Sequence, residues 1–173
     1  FAVDLWISAT ENYKRFKKMG FEKQIIPIHA DALGLPFAED YFDAVISIDS
    51  YHYFGSNETY FDTCLSKLLK KNALFAIGIP GMKFEIHNCI PHEMKPYWDE
   101  DTLKTWNSCD WWEKVFLNSE NFILRKIQEM DCFEEAWTDW LKTENKFALG
   151  DRPMIEMDNG RYMNLISIIG NKK

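Results

Sequence analysis

Two short apolar runs, residues 25–29 and 44–48, limit what this chain can fold into, because each leads into a carboxylate, Asp31 and Asp49. Runs of this length, rich in β-branched residues and bounded by Gly, Pro and Asp, predict buried strands. Between them, Leu33-Gly34-Leu35-Pro36-Phe37 and Ala38-Glu39-Asp40 predict a loop and an acidic turn. Strands covered on both faces belong to parallel sheets flanked by helices. Such sheets bind ligands just beyond the carboxyl ends of their strands. Asp31 and Asp49 therefore mark the edge at which a ligand would lie.

The rest of the chain continues this rhythm. Residues 1–5 predict a strand that starts without lead-in. Thr10 then predicts an N-cap, with Glu11 in the first turn, Tyr13, Phe16 and Met19 along one helical face, and Gly20 as the stop. Tyr60, Phe61, Cys64, Leu65, Leu68 and Leu69 predict an amphipathic helix over about 58–71. A strand over 73–79 follows, closed by Pro80-Gly81. This β-α-β order with short connections predicts a doubly wound α/β sheet. Beyond residue 83 the character changes, and six of the seven tryptophans lie between Trp98 and Trp140. Asp110 and Asp131 predict caps of two aromatic helices, and residues 122–130 predict a strand between them. A last strand over 162–170, reached through Asp158-Asn159-Gly160, suits an antiparallel, hairpin-like pairing at the sheet edge.

Composition bounds the function. A chain of 173 residues with 46% apolar side chains reads as one domain, 1–173, with a sizeable core. No apolar run approaches the roughly 18 residues of a membrane span. A formal net charge of −7 argues against binding to nucleic acid or anionic membrane. Cys64, Cys89, Cys109 and Cys132 lack Cys-x-x-Cys spacing and sit among apolar neighbours, which predicts buried free thiols in a cytoplasmic protein. His87, His92 and a neighbouring glutamate fit no standard metal spacing, and no metal is expected.

With these residues in view, the chain resembles the class I S-adenosylmethionine-dependent methyltransferases, the branch often called type 11. Val3-Asp4-Leu5 resembles the second strand of that family. His29-Ala30-Asp31-Ala32-Leu33-Gly34-Leu35-Pro36-Phe37 resembles its G-D-A-x-x-L-P-F segment, with His29 in place of the usual glycine. Phe42-Asp43-Ala44-Val45-Ile46-Ser47 matches F-D-x-V-x-S, the fourth strand. Leu68-Leu69-Lys70-Lys71-Asn72-Ala73 resembles the L-L-K-P-G-G turn with its Pro and both glycines replaced, and Trp111-Trp112-Glu113 resembles an aromatic helix before the sixth strand. The resemblance implies a Rossmann-like, doubly wound, mostly parallel sheet with an antiparallel last strand and a Trp-rich helical cap over 81–121 on the acceptor side. The family's D-x-G-x-G-x-G loop is absent from this sequence. That departure leads us to expect an N-terminally truncated domain, the C-terminal portion of a longer protein.

The resemblance also implies a cofactor, S-adenosyl-L-methionine, and assigns its residues. Asp4 would accept from the ribose hydroxyls, with Leu5 and Trp6 flanking the adenine. Asp31 would accept from the adenine amine, with the Ala32 N–H and Leu33 beside the ring. Asp49 would lie near the methionine part and the methyl group. His52, between Tyr51 and Tyr53, is the candidate general base, since imidazole titrates near neutrality. A small molecule would accept the methyl group, and a homodimer is compatible with this reading. Two alternatives stay open. One is an NAD-dependent oxidoreductase, because an acid ending the second strand also binds the ribose of NAD. Tyr13-x-x-x-Lys17 matches a dehydrogenase pair only superficially. The other is a methyltransferase-like binding subunit without catalysis.

Overall fold

Helix α1 (Ala9–Lys18) shows how local chemistry sets an element. Ser8, not Thr10, caps it: the Ser8 hydroxyl accepts from the Glu11 N–H at 3.2 Å, and Thr10 falls inside the helix. Its C-terminus follows the sequence closely. Gly20 adopts φ +78°, its N–H donates to the Lys17 carbonyl, and the Phe21 N–H donates to Phe16 at 2.8 Å. This pair of bonds is a Schellman stop, which needs a residue free to turn left-handed.

The computed structural model describes residues 1–87 and 89–173. They divide into two units, Phe1–Glu39 and Asp40–Lys173. The first unit carries α1 and two parallel strands, β1 (Ala2–Asp4) and β2 (Pro27–His29), followed by a 3₁₀ turn at Ala32–Gly34. The second carries a sheet of four strands in the order β3-β4-β6-β5, namely β3 (Phe42–Ile48), β4 (Leu69–Met82), β5 (Phe122–Glu129) and β6 (Met163–Lys172). β3 and β4 are parallel, whereas β6 runs antiparallel to both β4 and β5. The α/β class, the parallel pairings and the antiparallel last strand thus stand as read from the sequence.

The helices depart further from expectation. The helix predicted over 58–71 is replaced by α2 (Tyr51–Gly55), a π-helical segment Phe61–Leu65 and the short α3 (Ser66–Leu68). Its apolar face is real, with Tyr60, Phe61, Leu65, Leu68 and Leu69 buried, but Leu69 already belongs to β4. β4 runs on past Pro80, whose missing N–H is tolerated because β3 has already ended opposite Gly78. In the turn that resembles L-L-K-P-G-G, Asn72 takes φ +62°. Asparagine is the residue after glycine that best accepts this conformation.

Four more helices follow: α4 (Glu100–Thr105), α5 (Cys109–Asn118), α6 (Phe133–Leu141) and α7 (Lys146–Asp158). Ser108 rather than Asp110 caps α5, accepting from the Trp111 N–H at 3.2 Å. Cys132 precedes α6 with no side-chain cap, so Asp131 does not serve there. α7 was not expected, because Gly150 and Pro153 interrupt its pattern. β5 and β6 are antiparallel neighbours joined by α6 and α7 rather than by a hairpin loop.

The core lies where β4, β6, α5 and the π-helical segment meet. Tyr51, Phe61, Phe75, Trp112, Phe116 and Phe122 are all buried and pack ring against ring, with the Phe116 and Phe122 centroids 4.6 Å apart. Gly170 is required in β6, because a Cβ there would stand 2.0 Å from the Phe122 ring. Burial on both faces fails for β3: Ile46 and Ile48 are 69% and 71% exposed. On α1 and at its C-cap, Tyr13 and Met19 are likewise exposed. All four cysteines are free thiols, but Cys89 is exposed and the others are half-buried, so the expected burial is not found.

Candidate functional site

In the first unit, β1 and β2 run parallel, which brings Asp4 and Asp31 to the same edge. The Ala30 N–H donates to the Asp4 carbonyl at 3.1 Å, and His29 Nε2 stands 2.9 Å from the Leu5 carbonyl. Asp4 Oδ1 accepts from the N–H groups of Trp6 (2.8 Å) and Ile7 (2.9 Å), so the carboxylate folds the turn that follows its strand. Partial burial opposes its ionisation. The N–H groups of Ile7 and Trp6, the Asn12 side chain and the Arg15 guanidinium nonetheless hold its carboxyl below the usual range. An ionised carboxylate offers about four acceptor sites, and these two backbone bonds use only part of them. Asp31 caps the 3₁₀ turn through the Leu33 N–H at 2.9 Å. Leu5 (50%), Trp6 (78%) and Leu33 (59%) present broad apolar surface.

In the second unit, Asp49 follows the last residue of β3. Its N–H donates to the Gly78 carbonyl at 2.8 Å, and its φ is +52°. A non-glycine residue held left-handed at a strand end is a strained position of the kind found at functional sites. Part of the residue reaches solvent, yet crowding around the carboxyl, and then the Asp151 carboxylate of α7, raise its pKa. Burial first, and then Asp49 and Asp151, likewise raise the Tyr53 phenol. The Trp140 indole donates to Asp151 Oδ2 at 2.8 Å and fixes that second acid. Ser50 precedes α2 but does not cap it, because its hydroxyl pairs with that of Ser47 at 2.7 Å.

His52 is the residue that the sequence offers as a general base. It lies in α2, 1% exposed, with its ring 4.0 Å from that of Tyr53. Burial lowers its pKa to about 4, so it is neutral at pH 7 rather than poised near it. Its Nδ1 is buried without a hydrogen-bond partner. A neutral imidazole of this kind accepts or donates a hydrogen bond but is a weak base.

The sequence-predicted residues thus gather in two sets, Asp4, Leu5, Trp6, Asp31, Ala32 and Leu33 in the first unit and Asp49 and His52 in the second. Asp151 was missed, because it rides on the unexpected helix α7. In the 81–121 segment His87 has structural partners: its Nδ1 pairs with Glu85 at 2.7 Å and its Nε2 with the Leu103 carbonyl. Glu93 bonds Arg161 and Tyr162. Among the described residues no three His, Cys, Asp or Glu side chains are grouped to hold a metal. Cys109 is a poor nucleophile, since burial and then the acids Glu129, Asp110 and Glu113 push its thiol up to about 11.

Carboxylates at the carboxyl ends of parallel strands, with an antiparallel β6 inserted between β4 and β5, make this a Rossmann-like α/β fold. The comparisons with known proteins agree. A family model described as a methyltransferase domain matches residues 1–77. No curated protein matches the chain. Among solved structures, a geranyl diphosphate methyltransferase in complex with SAM aligns over 99% of this chain and 67% of its own, with a TM-score of 0.70 and 11% identity. A putative sarcosine dimethylglycine methyltransferase from Galdieria sulphuraria aligns over 98% and 68%, with a TM-score of 0.72 and 12% identity. The [4+2]-cyclase SpnF aligns over 98% and 64%, with a TM-score of 0.65 and 11% identity. The chain therefore spans about two thirds of the length of these structures. At such identities the likeness is one of fold, and the cyclase shows that this fold hosts more than one chemistry. Among the described residues no helix is long and apolar enough to cross a membrane.

Proposed function

We propose that this protein is a cytoplasmic S-adenosylmethionine-dependent methyltransferase that acts on a small-molecule acceptor. One observation carries the reading: Asp4, Asp31 and Asp49 stand at the carboxyl ends of three strands in parallel pairings, within a stretch that matches the methyltransferase domain. The chemistry of each of these carboxylates suits a part of the cofactor. A carboxylate held ionised, as Asp4 is, suits a vicinal diol. Asp31, beyond β2, suits an exocyclic amine. Asp49, reinforced by Asp151, places negative charge where a sulfonium is favoured.

When bound, S-adenosylmethionine supplies an activated methyl group for in-line displacement. What remains for the protein is positioning and the exclusion of water. Asp49 is better suited than His52 to take a proton from an acceptor that must lose one. Burial and then Asp151 raise its pKa, which strengthens it as a base, whereas burial lowers that of the imidazole. His52 then acts as a neutral hydrogen-bonding group beside Tyr53. Within the segment 81–121, the part that precedes α5 serves as the acceptor-side cap, while α5 packs into the sheet core.

The test is methyl transfer by the full-length protein from isotopically labelled S-adenosylmethionine to a metabolite panel, read by mass spectrometry. A labelled product lost in Asp49→Asn supports the assignment. Cofactor binding without transfer to any acceptor would favour the binding-subunit reading instead.

A further inference from the structure

Seven buried side-chain nitrogen or oxygen atoms among the described residues lack a hydrogen-bond partner. Four of them, Trp98 Nε1, Asn107 Nδ2, Trp137 Nε1 and Asp158 Oδ2, belong to residues that are part of one apolar cluster, packed on it or bonded to it. Its buried core is built from Met82, Ile86, Met94, Trp98, Met154 and Met163, with Trp137 packed against it. Met82 and Met163 face one another across β4 and β6. Asn107 is tied to this rung, its carbonyl accepting from the Met82 N–H at 3.1 Å. So is Asp158, whose Oδ1 accepts from the N–H groups of Tyr162 (3.0 Å) and Met163 (3.1 Å). The Trp98 ring stands edge-on to Tyr162, 6.0 Å between centroids.

Trp98, Asn107 and Asp158 are only 4%, 4% and 1% exposed. Buried polar atoms are nearly always paired, and leaving one unpaired is costly. Three unmet donors and one unmet carboxylate oxygen at a single cluster therefore need an explanation. Methionine supplies one half of it. Four unbranched thioether side chains re-pack readily around a guest, and together with the indoles they suit an apolar body. The polar half follows from the atoms left over. N–H groups need an acceptor, a carboxylate oxygen needs a donor, and a hydroxyl is the smallest group that is both.

We propose that this Met- and Trp-lined cluster at the end of β4 receives a small apolar molecule bearing a hydroxyl group, a phenol or an alcohol. It lies on the strand next to β3, whose carboxyl end carries Asp49. Naming this molecule as the methyl acceptor rests on the proposed function. The binding site itself does not.

The experiment titrates the full-length protein, without cofactor, with 4-ethylphenol and with ethylbenzene, followed by intrinsic tryptophan fluorescence and calorimetry. 4-Ethylphenol binds roughly tenfold more tightly than ethylbenzene. Trp98→Phe keeps the ring but removes the N–H, and Asp158→Asn keeps Oδ1 for the turn but replaces the free oxygen. Each reduces that preference at least about fivefold. Trp112→Phe removes an equally unpaired N–H from the other aromatic cluster and leaves the preference unchanged. Should Asp158→Asn fail to fold, Trp98→Phe decides alone. No binding of either compound, equal affinity for both, or a preference that survives both substitutions would overturn the proposal and leave buried water as the partner of these atoms. A separate titration with S-adenosylmethionine reports on the cofactor reading, so the two can fail independently.

Discussion

His52 should make the stability of this protein depend on pH in a window that can be worked out in advance. The ring is 1% exposed, and burial brings its pKa from the ordinary 6.5 to about 4. In the unfolded chain it binds a proton near 6.5, whereas in the fold it resists until about 4, so falling pH favours the unfolded state. The stability contributed by the neutral ring is present in full above 6.5, declines below it, and is lost by about 4. Each tenfold difference in proton affinity is worth about 1.4 kcal/mol, so the whole effect is about 3 kcal/mol. Other carboxylates also titrate over this range, and comparison with His52→Gln, which cannot, removes their contribution. Urea unfolding of both proteins at several pH values between about 7.5 and 4 gives the two curves. The stability advantage of the native protein over the His52→Gln variant should shrink by about 3 kcal/mol across the window. A difference that stays constant with pH, or an imidazole that titrates near 6.5 by NMR, would refute the burial argument and restore His52 as a base near neutrality.

Asp4→Ala removes the acceptor of the Trp6 and Ile7 N–H groups; it should cost about 1 kcal/mol of stability and at least about tenfold in cofactor affinity by calorimetry. Asp4→Asn keeps an oxygen for the turn and should lose affinity with little change in stability. Trp112 is fully buried against Tyr51 and Phe116, so Trp112→Ala should cost roughly 3–5 kcal/mol in urea unfolding. Asn72 holds φ +62°, so Asn72→Ala should cost about 1 kcal/mol while Asn72→Gly is tolerated.

The strands were legible because apolar runs closed by Gly, Pro and Asp leave few alternatives, and Asp4, Asp31 and Asp49 were legible as the residues that end them. Gly20 was read correctly as a stop for the same reason: few other residues turn left-handed so easily. The helices were harder. Thr10 and Ser8, or Asp110 and Ser108, are equally good caps by residue type, and only the backbone decides which oxygen meets the free N–H groups. Helix α7 hid behind Gly150 and Pro153, and with it went Asp151 and Asp158. The environment of His52 was also out of reach, since residue type gives an imidazole and only packing gives its pKa. Burial on both faces was overestimated for β3, because an apolar run shows that a face can be covered but not that it is.

The central claim is that this chain serves S-adenosylmethionine chemistry, and a calorimetric titration of the full-length protein with S-adenosylmethionine, set beside one with NAD, tests it most directly. A saturable heat with S-adenosylmethionine, weakened in Asp4→Ala and absent with NAD, is the predicted result. No heat with S-adenosylmethionine, or saturable binding of NAD in its place, would contradict it.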